Sequence, residues 1–328
     1  MQTIFKIFLA LKKQYSDNED FFEIAPLPLT KNHKIGISQL EQPMFFIKCE
    51  DSNKVKAIDC NLEFISVQFN RKCQLKNNKN KIEEGVYTII SLKTNSVDLQ
   101  EYFLEVIYLI IIKLSDKPNL KDLKSEVEKL INLFSKFSKP ALKTIQGLWA
   151  ELLVIEQSSN PDYLIKAWHS STKDKFDFND GSDKIEIKST SRSRRIHSFS
   201  IEQLNQNKNS NLIIVSVFTI ETGIGKNTFG LIELIEKKIK DRDSSFRLNE
   251  IIAETLGQDF EKSFEVFFDY QSAIDSLKFY DSKSVPKISY NNIPTEVTNV
   301  KFDCDLTDIT ELKFCKNKSP LHSLLFQK

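Results

Sequence analysis

The sequence predicts a mixed α+β protein in two parts: a β-rich and then helical front, and a back part that alternates helices and strands. Three observations carry this. PMFFIKC (43–49), LEFISVQF (62–69) and GVYTIISLKT (85–94) set aromatic and β-branched residues between polar breaks, as strands do. Apolar residues then recur at helical spacing over 98–114 and 120–134. From residue 141 the pattern reads helix, three strands, helix, strand, and the last member, NLIIVSVFTI (211–220), is the unbroken apolar run of a strand buried on both faces.

The elements follow in order. MQTIFKIFLALKKQ (1–14) reads as a packed amphipathic helix and not a signal peptide, because Lys6 interrupts the apolar stretch and no small-residue cleavage site follows. KNNKNK (76–81) is an exposed turn. The helical section, 96–137, carries alternating Lys and Glu outside its second helix. SKP (138–140) breaks it, since Pro140 disfavours helix at the residue before it. The boundary falls there: 1–137 is one domain, expected to contact DNA or a partner, and 138–328 is the second, with a core at about 141–256. ALKTIQGLWAELLVIEQ (141–157) is a helix burying Leu142, Ile145, Leu148, Trp149, Leu152, Leu153 and Ile155, with Glu151 among them.

YLIKAW (163–168) is a candidate strand, followed by an acidic strand around FDF (176–178), a strand over KIEIKS (184–189) and the basic turn SRSRR (191–195). IHSFSIEQLNQ (196–206) turns into a short helix, with Ser200 as N-cap and Gln203 at its third position. Residues 229–242 and 247–256 look helical. FEVFFDYQSAIDSLKFY (264–280) and VPKISYNNIP (285–294) follow, and β-like segments over 300–312 either form a separate piece or wrap back onto the rest.

Composition narrows the classes of function. A chain of 328 residues with 40% hydrophobic residues has ample core, and its net charge of +1 means that any nucleic-acid binding needs a local basic surface. Cys49, Cys60, Cys73, Cys304 and Cys315 form no C-x-x-C pair and the four histidines build no ligand spacing, which argues against zinc and a disulfide framework and for reduced thiols. The greasiest run, VIYLIII (106–112), is far short of the ~20 residues that span a bilayer. A cytoplasmic, soluble protein with no membrane partner is expected.

The chemistry concentrates in KFDFNDGSDKIEIKST (175–190). Glu186 and Lys188, two apart on a strand, point to one face. A hairpin through Asn179-Asp180-Gly181 brings Asp177 beside Glu186. Two carboxylates and an ammonium around one point suit a hard divalent cation and a water held against a phosphodiester. The plain alternative is a cross-strand ion pair on a solvated face. Gln203 is equally readable as the N3 partner of a capping box, and Asp174 or Asp180 replaces Asp177 if the strand register differs. Arg192, Arg194 and Arg195, with Lys184 nearby, form either phosphate contacts or a solvated loop. His197 reads as a turn histidine without a catalytic role, and Trp149 and Trp168 as core.

GLWAEL (147–152), Ala167-Trp168, FDF (176–178), IEIKS (185–189) and IEQL (201–204), in this order, resemble the PD-(D/E)XK nuclease superfamily. More closely, the chain is similar to the prokaryotic PD-(D/E)XK motif proteins linked with restriction and phage defence. LIELIEKKI (231–239) and VPKI (285–288) extend the likeness more loosely. The resemblance implies a restriction-endonuclease-like αβββαβ core with a mixed central sheet flanked by helices. It implies Asp177, Glu186 and the backbone carbonyl of Ile187 as Mg²⁺ ligands, with Mn²⁺ as substitute. Lys188 would contact the scissile phosphate and orient water, Glu151 would bind a metal or its water, and Gln203 would position phosphate or water. Phe176 stands where the superfamily's name has proline, which is no ligand.

The expected function is a Mg²⁺-dependent DNA endonuclease of restriction or phage defence. The alternative is a non-cleaving nuclease-fold subunit that binds DNA or a partner in a defence complex. Other defence proteins and a second copy of the chain are the expected partners, and an RNA substrate differs only in 2′-hydroxyl recognition, which the sequence does not display.

Overall fold

The structure, a computed structural model, describes residues 4–15, 21–50, 58–168, 175–205, 210–314 and 319–326. Asp174 and Cys315 lie outside them. The fold is mixed α+β, and the chain forms two compact units, 1–140 and 141–328. Among the described residues the four cysteines are free thiols, and no helix is long and apolar enough to cross a membrane.

In the first unit α1 (Ile4–Gln14) buries Ile4, Phe5, Phe8 and Leu11 on one stripe. Strands β1 (Phe22–Pro26), β2 (Lys34–Ile37), β3 (Pro43–Ile47), β4 (Cys60–Asn61), β5 (Ile65–Asn77) and β6 (Ile82–Leu92) form one sheet in the order β1-β2-β3-β6-β5-β4. A parallel pairing of β1 with β5 closes five of them into a ring. β5 serves both places because a bulge between Gln68 and Arg71, with Asn70 at φ 54°, bends it; Ser66 and Val67 then pair with β4, and Leu75 to Asn77 with β1. Ring closure leaves few exposed strand edges. α2 (Val97–Ile111) and α3 (Leu120–Phe134) are capped by Ser96 and Asn119, and Phe103 stacks its edge on Phe134 at 4.6 Å.

The second unit starts with α4 (Ile145–Gln157), capped by Thr144, whose hydroxyl accepts from Gly147 N–H. Leu142, expected in the buried face, precedes the cap and is 66% exposed. The expected strand over 163–168 is a helix, α5 (Pro161–Ala167). Asn160 caps it by accepting from Tyr163 N–H, and Pro161 stands at N1, where its fixed φ suits a helix. Six apolar-rich residues alone do not separate strand from helix; the Asn-Pro start does.

β7 (Phe178–Asn179), β8 (Lys184–Thr190), β9 (Ile196–Ser200), α6 (Ile201–Leu204), β10 (Leu212–Phe218) and β11 (Glu221–Thr222) follow. Then come α7 (Thr228–Glu236), α8 (Arg242–Leu256), β12 (Phe267–Phe268), α9 (Tyr270–Asp275), β13 (Lys278–Asp281), β14 (Lys301–Asp305) and α10 (Pro320–Ser323). Asp241 caps α8 and so moves its start five residues before the expected 247.

The central sheet runs β13-β10-β8-β7, with β8 and β10 parallel and the outer pairs antiparallel. All of β10 from Leu212 to Val217 is buried, as a middle strand requires. β9 pairs with β14 instead, from Ile196↔Asp305 to Ser200↔Lys301, so the last part of the chain wraps back.

Candidate active site

The β7–β8 hairpin is built by its own side chains. Asn179 accepts from Gly181 N–H, and Asp180 Oδ1 from Ser182 and Asp183 N–H. Gly181 takes φ 91°, where a Cβ would be strained. Asp180 also accepts from Tyr163 O–H and is thereby committed to the turn. The register Phe178↔Ile185, continued one step, faces Asp177 with Glu186.

Around that step lie six charged or polar side chains from three elements and two connecting segments. Asp177 is buried; its Oδ2 accepts from Ile187 N–H at 2.7 Å and its Oδ1 lies 2.6 Å from Lys143 Nζ. Glu151 is buried on α4, with Oε2 accepting from Trp168 Nε1 at 2.7 Å and Oε1 2.6 Å from the same Lys143 Nζ. Glu186 Oε1 accepts from Gln203 Nε2 at 2.6 Å and from Lys188 Nζ at 2.7 Å. Glu186 Oε2 is buried without a hydrogen-bond partner. Gln203 is the N3 partner of a capping box, its Oε1 accepting from Ser200 N–H, and its amide also donates to Glu186. Trp149 and Trp168 are fully buried.

The site is short of positive charge. Burial, and then the Glu151 charge, push the Asp177 carboxyl up, against the pull of Lys143 and the Ile187 N–H. Burial, and then Asp177, push Glu186 up to about 8 despite Lys188. Burial alone would lower the Lys143 ammonium, but the Asp177 and Glu151 charges outweigh it and raise it.

In this arrangement each acid is turned onto an ammonium group, and among the described residues no three His, Cys, Asp or Glu side chains are grouped as a ligand set. The donors nevertheless fit a hard divalent cation. Their oxygens are of the right kind, three buried carboxylates share two ammonium groups, and Glu186 Oε2 has no hydrogen-bond partner.

A cavity of about 540 Å³ opens beside Lys188 and Gln203. Lys175, Lys188 and Lys301 line it against one acid, Glu202, and Ser198 and Asn299 add polar groups. The arginine run lies elsewhere. Arg195 is buried; its Nη1 donates to Ser216 O at 2.9 Å and Oγ at 2.8 Å, its Nη2 to Ser276 O, and its plane covers Phe218. Arg194 pairs with Asp305, and Arg192 is exposed on the turn. Lys184 Nζ donates to Ser210 Oγ and lies over the Phe176 ring. His197 is a strand residue, buried against Ser216 Oγ at 2.7 Å.

Sequence reasoning missed Lys143, Lys175 and Lys301. No motif marks them: a lysine before an N-cap, one before a strand and one at a strand start are surface residues by type.

No curated protein and no solved structure matches the chain. A family model described as "Putative PD-(D/E)XK family member, (DUF4420)" matches residues 7–307. That span runs through both units and takes in every acid, lysine and amide placed above, so the chain belongs to this PD-(D/E)XK family.

Proposed function

We propose that the protein is a divalent-metal-dependent endonuclease that hydrolyses phosphodiester bonds in DNA, with Mg²⁺ as its ion and Mn²⁺ as a substitute, acting in restriction or phage defence. PD-(D/E)XK enzymes generally use divalent metals, and membership supports a nuclease-like fold. The observation that carries the reading is Glu186: buried, its carboxyl raised to about 8, one oxygen held by Lys188 and Gln203 and the other without a partner. An ordinary surface ion pair leaves no buried oxygen unsatisfied.

Asp177, Glu186 and the Ile187 carbonyl, with Glu151 beside them, would hold the cation, which supplies Lewis acidity toward phosphate oxygens and lowers the pKa of water. Lys188 places its ammonium against the scissile phosphate and orients the attacking water. Gln203 fixes Glu186 and, through its capping box, ties it to the start of α6. The water oxygen bonds phosphorus as the bond to the 3′ oxygen breaks; the water gives up one proton to solvent and the 3′ oxygen takes one from solvent. Lys175 and Lys301 neutralise flanking phosphates in the cavity, a role that Arg195, buried and bonded to Ser216 and Ser276 away from the cavity, does not take.

Supercoiled plasmid incubated with Mg²⁺ tests this. Lys188→Ala lowers nicking by roughly a hundredfold or more, while Lys184→Ala, away from the cavity, nicks as wild type does. Undiminished nicking by Lys188→Ala sinks the assignment. The non-cleaving subunit is favoured by one observation, the acids turned onto Lys143 and Lys188. It gains if DNA and RNA both stay intact with Mg²⁺ and Mn²⁺.

A further inference from the structure

Lys143 is the side chain that the proposed mechanism does not use, yet it makes two of the shortest charged contacts in the site. Its Nζ stands 2.6 Å from Glu151 Oε1 and 2.6 Å from Asp177 Oδ1. Both acids are buried, with side chains 4% and 10% exposed, whereas that of Lys143 is 32% exposed. Part of the Lys143 side chain therefore reaches the surface while both acids stay inside. Its backbone is anchored on either side: Leu142 N–H donates to Thr255 O at 2.9 Å, and Thr144 caps α4. The side chain can swing outward on its flexible stem while the helix and the acids stay in place.

We propose that the Lys143 ammonium is an internal counter-ion that holds a divalent cation's place between Asp177 and Glu151, and that it leaves as an ammonium when the cation binds. This rests on the metal role proposed for Asp177. One positive charge here compensates two buried carboxylates. A divalent ion brings twice that charge to the same oxygens, and two cations do not share one place at contact distance. Every binding event then includes displacement of Lys143, so the apparent affinity falls by the fraction of molecules in which the site is open. Lys143 thereby sets the cation concentration at which the site fills and keeps the acids compensated below it.

Titration of metal-stripped protein with Mn²⁺ by calorimetry tests this, without reference to cleavage. Lys143→Gln and Lys143→Met bind Mn²⁺ roughly tenfold more tightly than wild type. They melt lower than wild type in chelator, and the gap closes at saturating Mn²⁺. Lys143→Arg, which keeps the charge, shows no such gain. Unchanged or weaker Mn²⁺ binding by the Gln variant overturns the proposal. The Gln variant retains an amide donor toward the acids, so it serves where the Met variant does not fold. Tighter binding with plasmid left intact refutes the nuclease reading and leaves Lys143 as displaced counter-ion; nicking by wild type with unaltered affinity in the Gln variant does the reverse.

Discussion

At the residue scale, His197 shows how a side chain near the site can be structural. Burial first, then Lys188 and Arg195, lower its imidazole to about 4 from an ordinary 6.5. The unfolded chain therefore binds the proton first as pH falls. The stability contributed by His197 is complete above pH ~6.5 and declines toward pH ~4. From this group alone wild type should lose about 2 kcal/mol between pH 7 and 5. Urea melts at both pH values check this against His197→Gln, which keeps a donor toward Ser216 and should lack that loss; an equal loss in both proteins excludes His197. The same scale shows what was legible. Glu186 and Lys188 follow from the two-residue period of a strand, and Asp177 from a hairpin marked by Asn-Asp-Gly. Arg195 was not legible, because its burial depends on Ser216 and Ser276, which the sheet and α9 bring from 21 and 81 residues away.

Among the elements, α5 does the unobvious work. It ends at Trp168, whose indole N–H holds Glu151, so a seven-residue helix positions an acid on α4. Its start depends on the Asn160 cap, and Asn160→Ala should cost about 1 kcal/mol of stability. Asn160→Ser should cost much less, since serine caps as well. Denaturant midpoints of the two variants decide this, and equal losses would mean that the cap is not what starts the helix. β8 and β10 were readable from their apolar and alternating patterns. β9 as a strand was not fully readable, because its partner among the described residues is β14, about a hundred residues later.

On the scale of the molecule, the mixed α+β class followed from the strand-like runs and the helical spacing of apolar residues, and the contacts divide the chain between Pro140 and Ala141. The ring closure of the first unit did not follow, because a parallel β1–β5 pairing and a bulge are properties of tertiary register. In the second unit, β13 borders β10, β14 borders β9, and the His322 ring bonds the Lys184 carbonyl at the start of β8. Removal of residues 300–328 therefore takes away β9's partner, α10 and the cavity residue Lys301, while leaving Glu151, Asp177, Glu186, Lys188 and Gln203 in the chain. Such a truncation should lose the cooperative thermal transition of the second unit; retention of that transition by calorimetry would show that β9 stands without β14.

That late pairing also bears on the order in which the protein is made. Synthesis delivers Glu151, Asp177, Glu186, Lys188 and Gln203 well before Lys278–Asp281 and Lys301–Asp305, the strands that flank β10 and β9. A nascent chain thus carries all its proposed cutting residues before it has the frame that aligns them. Under the proposed function, cutting then waits for Lys278–Asp281 and Lys301–Asp305, which follow every one of those residues in the chain.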